Sequence, residues 1–178
     1  NHGWQGAIIT NPNCSTIALT MGLAPFKQFG IKKVLVATMQ AISGAGYPGV
    51  AALDLNDNVV PFIAGEEEKL ESEPLKMLGT CDGKRVSPAV FGISAHCNRV
   101  AVSDGHMVCV TAELMQPTSV SEVISAMESF AAAQSVQELP SSPYQVLEVR
   151  RESDRPQPRR DRDKGGGMTT VVGRVRED

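Results

Sequence analysis

Aromatic residues are scarce. One Trp, two Tyr and five Phe make up 4% of the 178 residues. Stacking on unpaired bases needs such rings, so single-stranded nucleic-acid recognition has little to build on. Charge of either sign is also short in surplus. The 17 Lys and Arg against 20 Asp and Glu leave a net −3, which gives no general pull toward nucleic acid or an anionic membrane. No apolar run approaches the ~20 residues that span a bilayer. The four cysteines (Cys14, Cys81, Cys97, Cys109) form no CxxC pair, and the three histidines (His2, His96, His106) lack metal-ligand spacing. No metal is expected. A chain of this length with a good core does not need disulfides either, so the thiols read as reduced and cytosolic. There are no internal repeats, no GxGxxG and no P-loop. The start Asn1-His2-Gly3-Trp4 has neither a signal-peptide pattern nor an initiator Met, which points to a fragment or a processed chain.

What is present is an ordinary core-forming composition, 42% hydrophobic and 21% charged, at a length natural for one domain. Strand and helix patterns alternate. Residues 6–10 read as a strand that gives way to a helix over 17–26, with Gly30 as its C-cap. Residues 34–39 are a continuous apolar run, the signature of a strand buried on both faces. The Gly/Pro-rich stretch 43–49 is a loop, and 59–63, with Pro61, is an edge or turn. A helix is expected over 66–78 with acids in its first turn. Strands follow over 86–98 and 106–116, joined by a segment ending in the turn signal Asp104-Gly105. Residues 119–133 form an amphipathic helix opened by a Ser119/Glu122 capping box. The tail over 150–164 mixes acids with arginines and reads as a solvated or subunit-contacting loop, and 168–175 as a last strand.

The run Asn11-Pro12-Asn13-Cys14-Ser15-Thr16 carries the chemistry. It sets a thiol at a helix N-terminus, beside free backbone N–H groups and the positive end of the helix dipole, which favours the thiolate. The same N–H groups suit an oxyanion formed when sulfur attacks a carbonyl. A buried space-filling cysteine has the same local sequence. His106, at a strand start, is a candidate to take the thiol proton and later return it, or a surface turn histidine. Arg99, seven residues earlier, suits bidentate grip on a carboxylate, or a plain ion pair. Glu66 and Lys69 share a helix face and can present an acceptor and a cation to a zwitterionic or phosphorylated ligand, or form a solvated charged face. Gln40 ends a strand where open α/β sheets place ligands. The loop Ser43-Gly44-Ala45-Gly46 permits close approach of a ligand to the backbone.

The order of these pieces resembles the aspartate-semialdehyde dehydrogenase family in its archaeal and fungal form. The matching stretches are 8–16, 39–49, 65–69, 97–106 and 154–159, in family order across nearly the whole chain. The resemblance implies an α/β (α+β) catalytic domain of glyceraldehyde-3-phosphate-dehydrogenase type, a mixed β-sheet with helices packed on one face. It implies that residues 1–178 are the catalytic and dimerisation domain, without the N-terminal NADP-binding Rossmann domain and the C-terminal return segment of family members. It also implies a reaction. Cys14 attacks L-aspartate 4-semialdehyde, hydride passes to NADP, and phosphate releases L-4-aspartyl phosphate from the acyl-thioester. By the same resemblance His106 is the acid/base, Arg99 holds the substrate carboxylate and Glu66 its amino group. Lys69 contacts phosphate, Gln40 orients the substrate, and Ser43 and Gly44 contact the cofactor. Asn13 and the Cys14 N–H hold the oxyanion. A cytoplasmic homodimer or homotetramer serving lysine, methionine and threonine synthesis is expected, with no nucleic acid or membrane partner. These residues alone, without the nucleotide domain, are expected to be inactive. Competing readings are a pure self-association module, a Cys14/His106 hydrolase, and the related malonyl-CoA reductase. N-acetyl-glutamyl-phosphate reductase differs by carrying Gly-Cys where this chain has Asn13-Cys14.

Overall fold

A computed structural model of the chain describes every residue except Asn1, His2, Trp4, Ala7 and Asp178. Its centre is a three-stranded mixed sheet. The first helix, α1 (Cys14–Leu23), continues into a 3₁₀ turn (Ala24–Phe29) that Gly30 ends with φ +71°. Then comes β1 (Ile31–Gln40), a 3₁₀ turn (Ile42–Ala45), the short α2 (Ala52–Leu55) and α3 (Glu66–Met77). A small hairpin, β2 (Thr80–Cys81) with β3 (Val86–Ser87), precedes β4 (Gly92–Arg99) and β5 (Met107–Leu114). After α4 (Val120–Glu128) and α5 (Gln134–Gln137), the parallel pair β6 (Leu147–Arg150) and β7 (Thr170–Gly173) encloses α6 (Pro158–Asp161).

In the main sheet β1 lies in the middle, parallel to β4 and antiparallel to β5. Strands β4 and β5 are therefore not neighbours, although the Asp104-Gly105 turn between them reads as a hairpin signal. One face of this sheet packs on α1 and α3. Their apolar residues at helical spacing, Leu19, Leu23 and Leu70, meet Val34, Val36, Ala95 and Cys97. A second cluster seats α4 (Val123, Met127) on Leu147 of β6. The capping box that opens α4 is formed: Ser119 Oγ accepts the Glu122 N–H at 3.3 Å, and Glu122 accepts the Ser119 N–H at 2.8 Å.

The other face of the main sheet is bare. Leu35 is 47% exposed, and Ala37, Ser94, His96, Cys109 and Thr111 are exposed beside it. The apolar run at 34–39 is thus buried on one face, not two. Residues 6–10 also differ from expectation: Ala7 lies outside the described residues, the rest form no strand, and Ile8 and Ile9 are more than nine-tenths exposed. Extended backbone without a partner strand has nowhere to place its N–H and C=O groups except water. The strand expected over 86–98 is broken into β3 and β4, and the 119–133 helix stops at Glu128. In the tail, Asp161 is 3% exposed. It accepts from Arg155 through both carboxylate oxygens and from the Gln157 N–H at 2.6 Å, so part of that stretch is tied down. No helix among the described residues is long and apolar enough to cross a membrane.

Candidate active site

Helix α1 begins at Cys14 because Asn13 caps it. Asn13 Oδ1 accepts the N–H groups of Ser15 at 3.0 Å and Thr16 at 3.1 Å, and the Asn13 carbonyl accepts the Ile17 N–H at 3.0 Å. The Cys14 N–H stays outside these capping bonds, next to its own exposed thiol. His106 Nε2 lies 3.1 Å from Cys14 Sγ, across 92 residues of chain. Sequence spacing alone could not show this meeting.

What carries His106 there is backbone pairing beyond the ends of β1 and β4. The Val100 N–H donates to the Gln40 carbonyl (3.0 Å), Ile42 to Val102 (2.7 Å) and Ser43 to Ser103 (3.0 Å). The chain then turns at Gly105, φ +90°, where Pro158 and Arg162 lie so close that a Cβ would meet each of their Cβ atoms at 3.2 Å. Arg162 Nη1 also donates to the Asp104 carbonyl at 3.2 Å. Helix α6 and the residue after it thus bracket the turn that presents His106.

Ala41 holds both partners of this loop. Its N–H donates to His106 Nδ1 at 3.0 Å, and its carbonyl accepts from Arg99 Nη1 at 2.6 Å. Ala41 was invisible as a functional residue in the sequence, because its contribution is entirely main-chain. Gly44 sits against the same pair. A Cβ there would lie 2.9 Å from Arg99 Nη1 and 3.0 Å from His106 Cε1. Burial pushes the His106 imidazole below its ordinary range and the Arg99 charge adds to this, while Glu66 opposes it.

A second cluster forms around Glu66, at the start of α3. Asn13 Nδ2 donates to both its oxygens (2.9 and 2.8 Å), Gln40 Nε2 to one (3.1 Å) and Lys69 Nζ to the other (3.3 Å). Burial raises the Glu66 carboxyl, but these donors together outweigh it and hold the group below its usual value. Asn13, expected on an oxyanion, turns its amide nitrogen to Glu66 and its amide oxygen to the helix cap. Glu73, not foreseen from the sequence, accepts the Asn13 N–H at 2.8 Å. Gln40 is almost fully buried and Lys69 half exposed. Ser43 is exposed, with its N–H used by Ser103. Burial pushes the Cys97 thiol up, so this neighbour of Gln40 is no rival to Cys14 as a nucleophile. No group of three or more metal-ligating side chains occurs among the described residues.

Residues 23–178 match the family model described as semialdehyde dehydrogenase, dimerisation domain. The chain is 52% identical to the aspartate-semialdehyde dehydrogenase of Archaeoglobus fulgidus over all 178 residues, which cover 51% of that protein. It is 46% identical to the Cryptococcus neoformans enzyme, over 97% of this chain and 50% of that one. Among solved structures, aspartate semialdehyde dehydrogenase from Candida albicans, with NADP, superposes with a TM-score of 0.83 at 40% identity, over 93% of this chain and 48% of that one. The chain spans about half the length of the curated relatives it matches.

Proposed function

The chain belongs to the semialdehyde dehydrogenase dimerisation-domain family, and from that premise we propose that it is the catalytic and dimerisation part of an NADP-dependent, phosphorylating aspartate-semialdehyde dehydrogenase. The observation that carries the reading is a thiol at a capped helix N-terminus with an imidazole nitrogen 3.1 Å from its sulfur. That pairing is the requirement for an activated sulfur nucleophile.

In this reading the Cys14 thiolate attacks the aldehyde carbon of L-aspartate 4-semialdehyde. A C–S bond forms, and the carbonyl electron pair moves to oxygen, beside the Cys14 N–H. Loss of hydride regenerates the C=O as a thioester. A phosphate oxygen then attacks, the C–S bond breaks, and L-4-aspartyl phosphate leaves the restored thiolate. Arg99 grips the substrate carboxylate with the guanidinium edge not spent on Ala41. Glu66, set by Asn13 and Gln40, takes the substrate amino group, and Lys69 meets phosphate. NADP, when bound, supplies the hydride acceptor. The Ser43–Gly44 turn fits the reactive end of such a cofactor, because Gly44 sets bare backbone against His106 and Arg99. The 178 residues hold no Gly-rich cradle for the cofactor's phosphates, so the reading puts that cradle in another part of the full-length protein.

The bare sheet face is the surface we assign to a second copy. The apolar run of β1 asks for cover on both sides, yet Leu35 and Ala37 lie open. The setting is the cytoplasm, in synthesis of lysine, methionine and threonine.

The test is turnover by the full-length protein containing these residues, given L-aspartate 4-semialdehyde, phosphate and NADP. NADPH should form, and Cys14→Ser should abolish it. Turnover of malonyl-CoA without turnover of the semialdehyde would overturn the substrate assignment. The 178 residues alone should give no turnover.

A further inference from the structure

We propose that Glu73, on α3, is a positioning residue: its carboxylate completes the N-terminal cap of α1 from another helix and so sets where Cys14 stands relative to Glu66. The inference rests on Cys14 as the nucleophile and on Glu66 as the acceptor of the substrate amino group.

A capping box has two halves. The cap side chain accepts main-chain N–H groups of the first turn, and a side chain three residues on reaches back to the cap's own N–H. In α4 both halves come from one helix, as Ser119 and Glu122. In α1 only the first half is local: Asn13 Oδ1 accepts the N–H groups of Ser15 and Thr16. The residue three positions on is Thr16, and its hydroxyl is turned to Asn13 Oδ1 at 3.5 Å. The second half arrives from 60 residues away, where Glu73 Oε2 accepts the Asn13 N–H at 2.8 Å. A main-chain N–H given to a carboxylate makes the stronger kind of hydrogen bond, and one left half-buried without a partner is costly.

Glu66, Leu70 and Glu73 stand at i, i+4 and i+7, on one face of α3. Leu70 is fully buried in the same cluster as Leu19 and Leu23 of α1. Farther along, the Thr20 hydroxyl meets Met77 Sδ at 3.8 Å. Helix α3 cannot roll about its axis without opening this core, so both carboxylates stay aimed at Asn13. Glu66 accepts from its side-chain amide at 2.9 and 2.8 Å, and Glu73 from its main chain. Glu66 has further donors in Gln40 and Lys69, so its own place does not hang on Glu73.

The chemistry gives this arrangement a use. A small amino aldehyde carries its amino group and its reacting carbon only a few bonds apart. Held by the amine at Glu66, it offers that carbon at a fixed reach, and the sulfur must be waiting there. A sulfur displaced by part of an ångström loses the attack geometry while the substrate is still held. Loss of the Glu73 acceptor should therefore slow the chemical step and leave binding in place.

The test compares Glu73→Leu with Glu73→Gln in the full-length protein. Both remove the same charge and both are good helix formers. Only Gln keeps an oxygen able to accept the Asn13 N–H, so the ratio between them reads the acceptor alone. Turnover of L-aspartate 4-semialdehyde with phosphate and NADP is followed at a temperature where melts show every variant folded. Glu73→Leu should lower kcat about tenfold and hold KM for the semialdehyde within about twofold. Glu73→Gln should keep kcat within about twofold of the unsubstituted protein. Glu73→Ala, smaller and equally without an acceptor, should behave as Glu73→Leu. Glu71→Leu is the control: Glu71 accepts the Ala95 N–H of β4 at 3.1 Å, and its loss should lower Tm without lowering kcat. Equal kcat in the Leu and Gln variants overturns the inference. So does a loss that falls on KM rather than kcat, or one that Glu71→Leu matches. Iodoacetamide alkylation of Cys14, followed peptide by peptide, repeats the comparison without the reaction. It should be roughly threefold or more slower in Glu73→Leu than in Glu73→Gln, with the exposed Cys81 and Cys109 as references in the same chain. If the unsubstituted protein gives no turnover, it is the proposed reaction that fails, and the alkylation ratio alone decides the place of Glu73.

Discussion

Gly44→Ala is a one-methyl test of how the site is held. Gly44 has ordinary backbone angles, so an alanine there meets only a steric obstacle. The added Cβ would lie 2.9 Å from Arg99 Nη1, 3.0 Å from His106 Cε1 and 3.2 Å from His106 Nε2. Ordinary contact begins at 3.4 Å, so each group must retreat by roughly half an ångström. Neither is the loose end of a flexible side chain. Arg99 is tied to the Ala41 carbonyl and His106 to the Ala41 N–H. Overpacking of this kind costs about 1–3 kcal/mol, which for a chain of this size lowers Tm by about 2–12 °C. Displacing a catalytic group by a full ångström can cost ~100-fold in rate, so about half that distance should slow Cys14 alkylation by roughly tenfold. Gly22→Ala is the control. It lies in α1 with nothing within 4 Å of its added Cβ, and should be neutral or stabilising by up to ~1 kcal/mol. Peptide-resolved alkylation and a thermal melt read both variants. Wild-type alkylation and Tm in Gly44→Ala would refute the claim that this glycine keeps room for Arg99 and His106.

Three further outcomes are expected. Asp161, held by Arg155, has its carboxyl lowered from 3.8 to about 2. A depressed carboxylate stabilises above its unfolded value and loses that contribution as pH falls through the folded one. Asp161→Asn should therefore cost about 2 kcal/mol at neutral pH, and denaturant titrations should show the gap closing between about pH 4 and pH 2. Ser119→Ala removes the acceptor of the capping box and should lower stability by about 1 kcal/mol, seen as a drop of about 2–4 °C in Tm. Leu35→Glu puts a charge on the bare sheet face; sedimentation velocity should find monomers where the unsubstituted chain pairs, and persistence of the pair would refute that use of the face.

Helices α3 and α4 could be read from the sequence because their signals are local: apolar residues at helical spacing, first-turn acids, and Ser119 three residues before Glu122. The first helix was expected over 17–26 and in fact begins three residues earlier, at Cys14, where Asn13 caps it. The sheet order was not. Asp104-Gly105 correctly announces that the chain turns, but a turn does not say which strand becomes the neighbour, and β1 takes the place between β4 and β5. Alternating signs in the tail read as solvated charge. Only the structure shows Asp161 turned inward onto Arg155. The candidates Cys14, His106, Arg99 and Glu66 were singled out by residue type and order, and the structure sets Cys14 beside His106 and both His106 and Arg99 on Ala41. Ala41, Glu73 and the Arg162 bracket were missed: a main-chain group has no letter of its own, and in a sequence one acid or arginine looks like every other.

The acidic face of α3 has an effect reaching beyond the site. Glu71 accepts the Ala95 N–H at 3.1 Å and Glu67 the Cys97 N–H at 3.0 Å, while Val60 bridges Arg99. These are successive outward N–H groups of β4, so the free margin of that strand is stoppered by carboxylates where another strand would dock. Growth of a fibre through the main sheet needs two open margins on every molecule. This one offers at most the margin of β5, so edge-to-edge addition can join two copies and then has nowhere to continue.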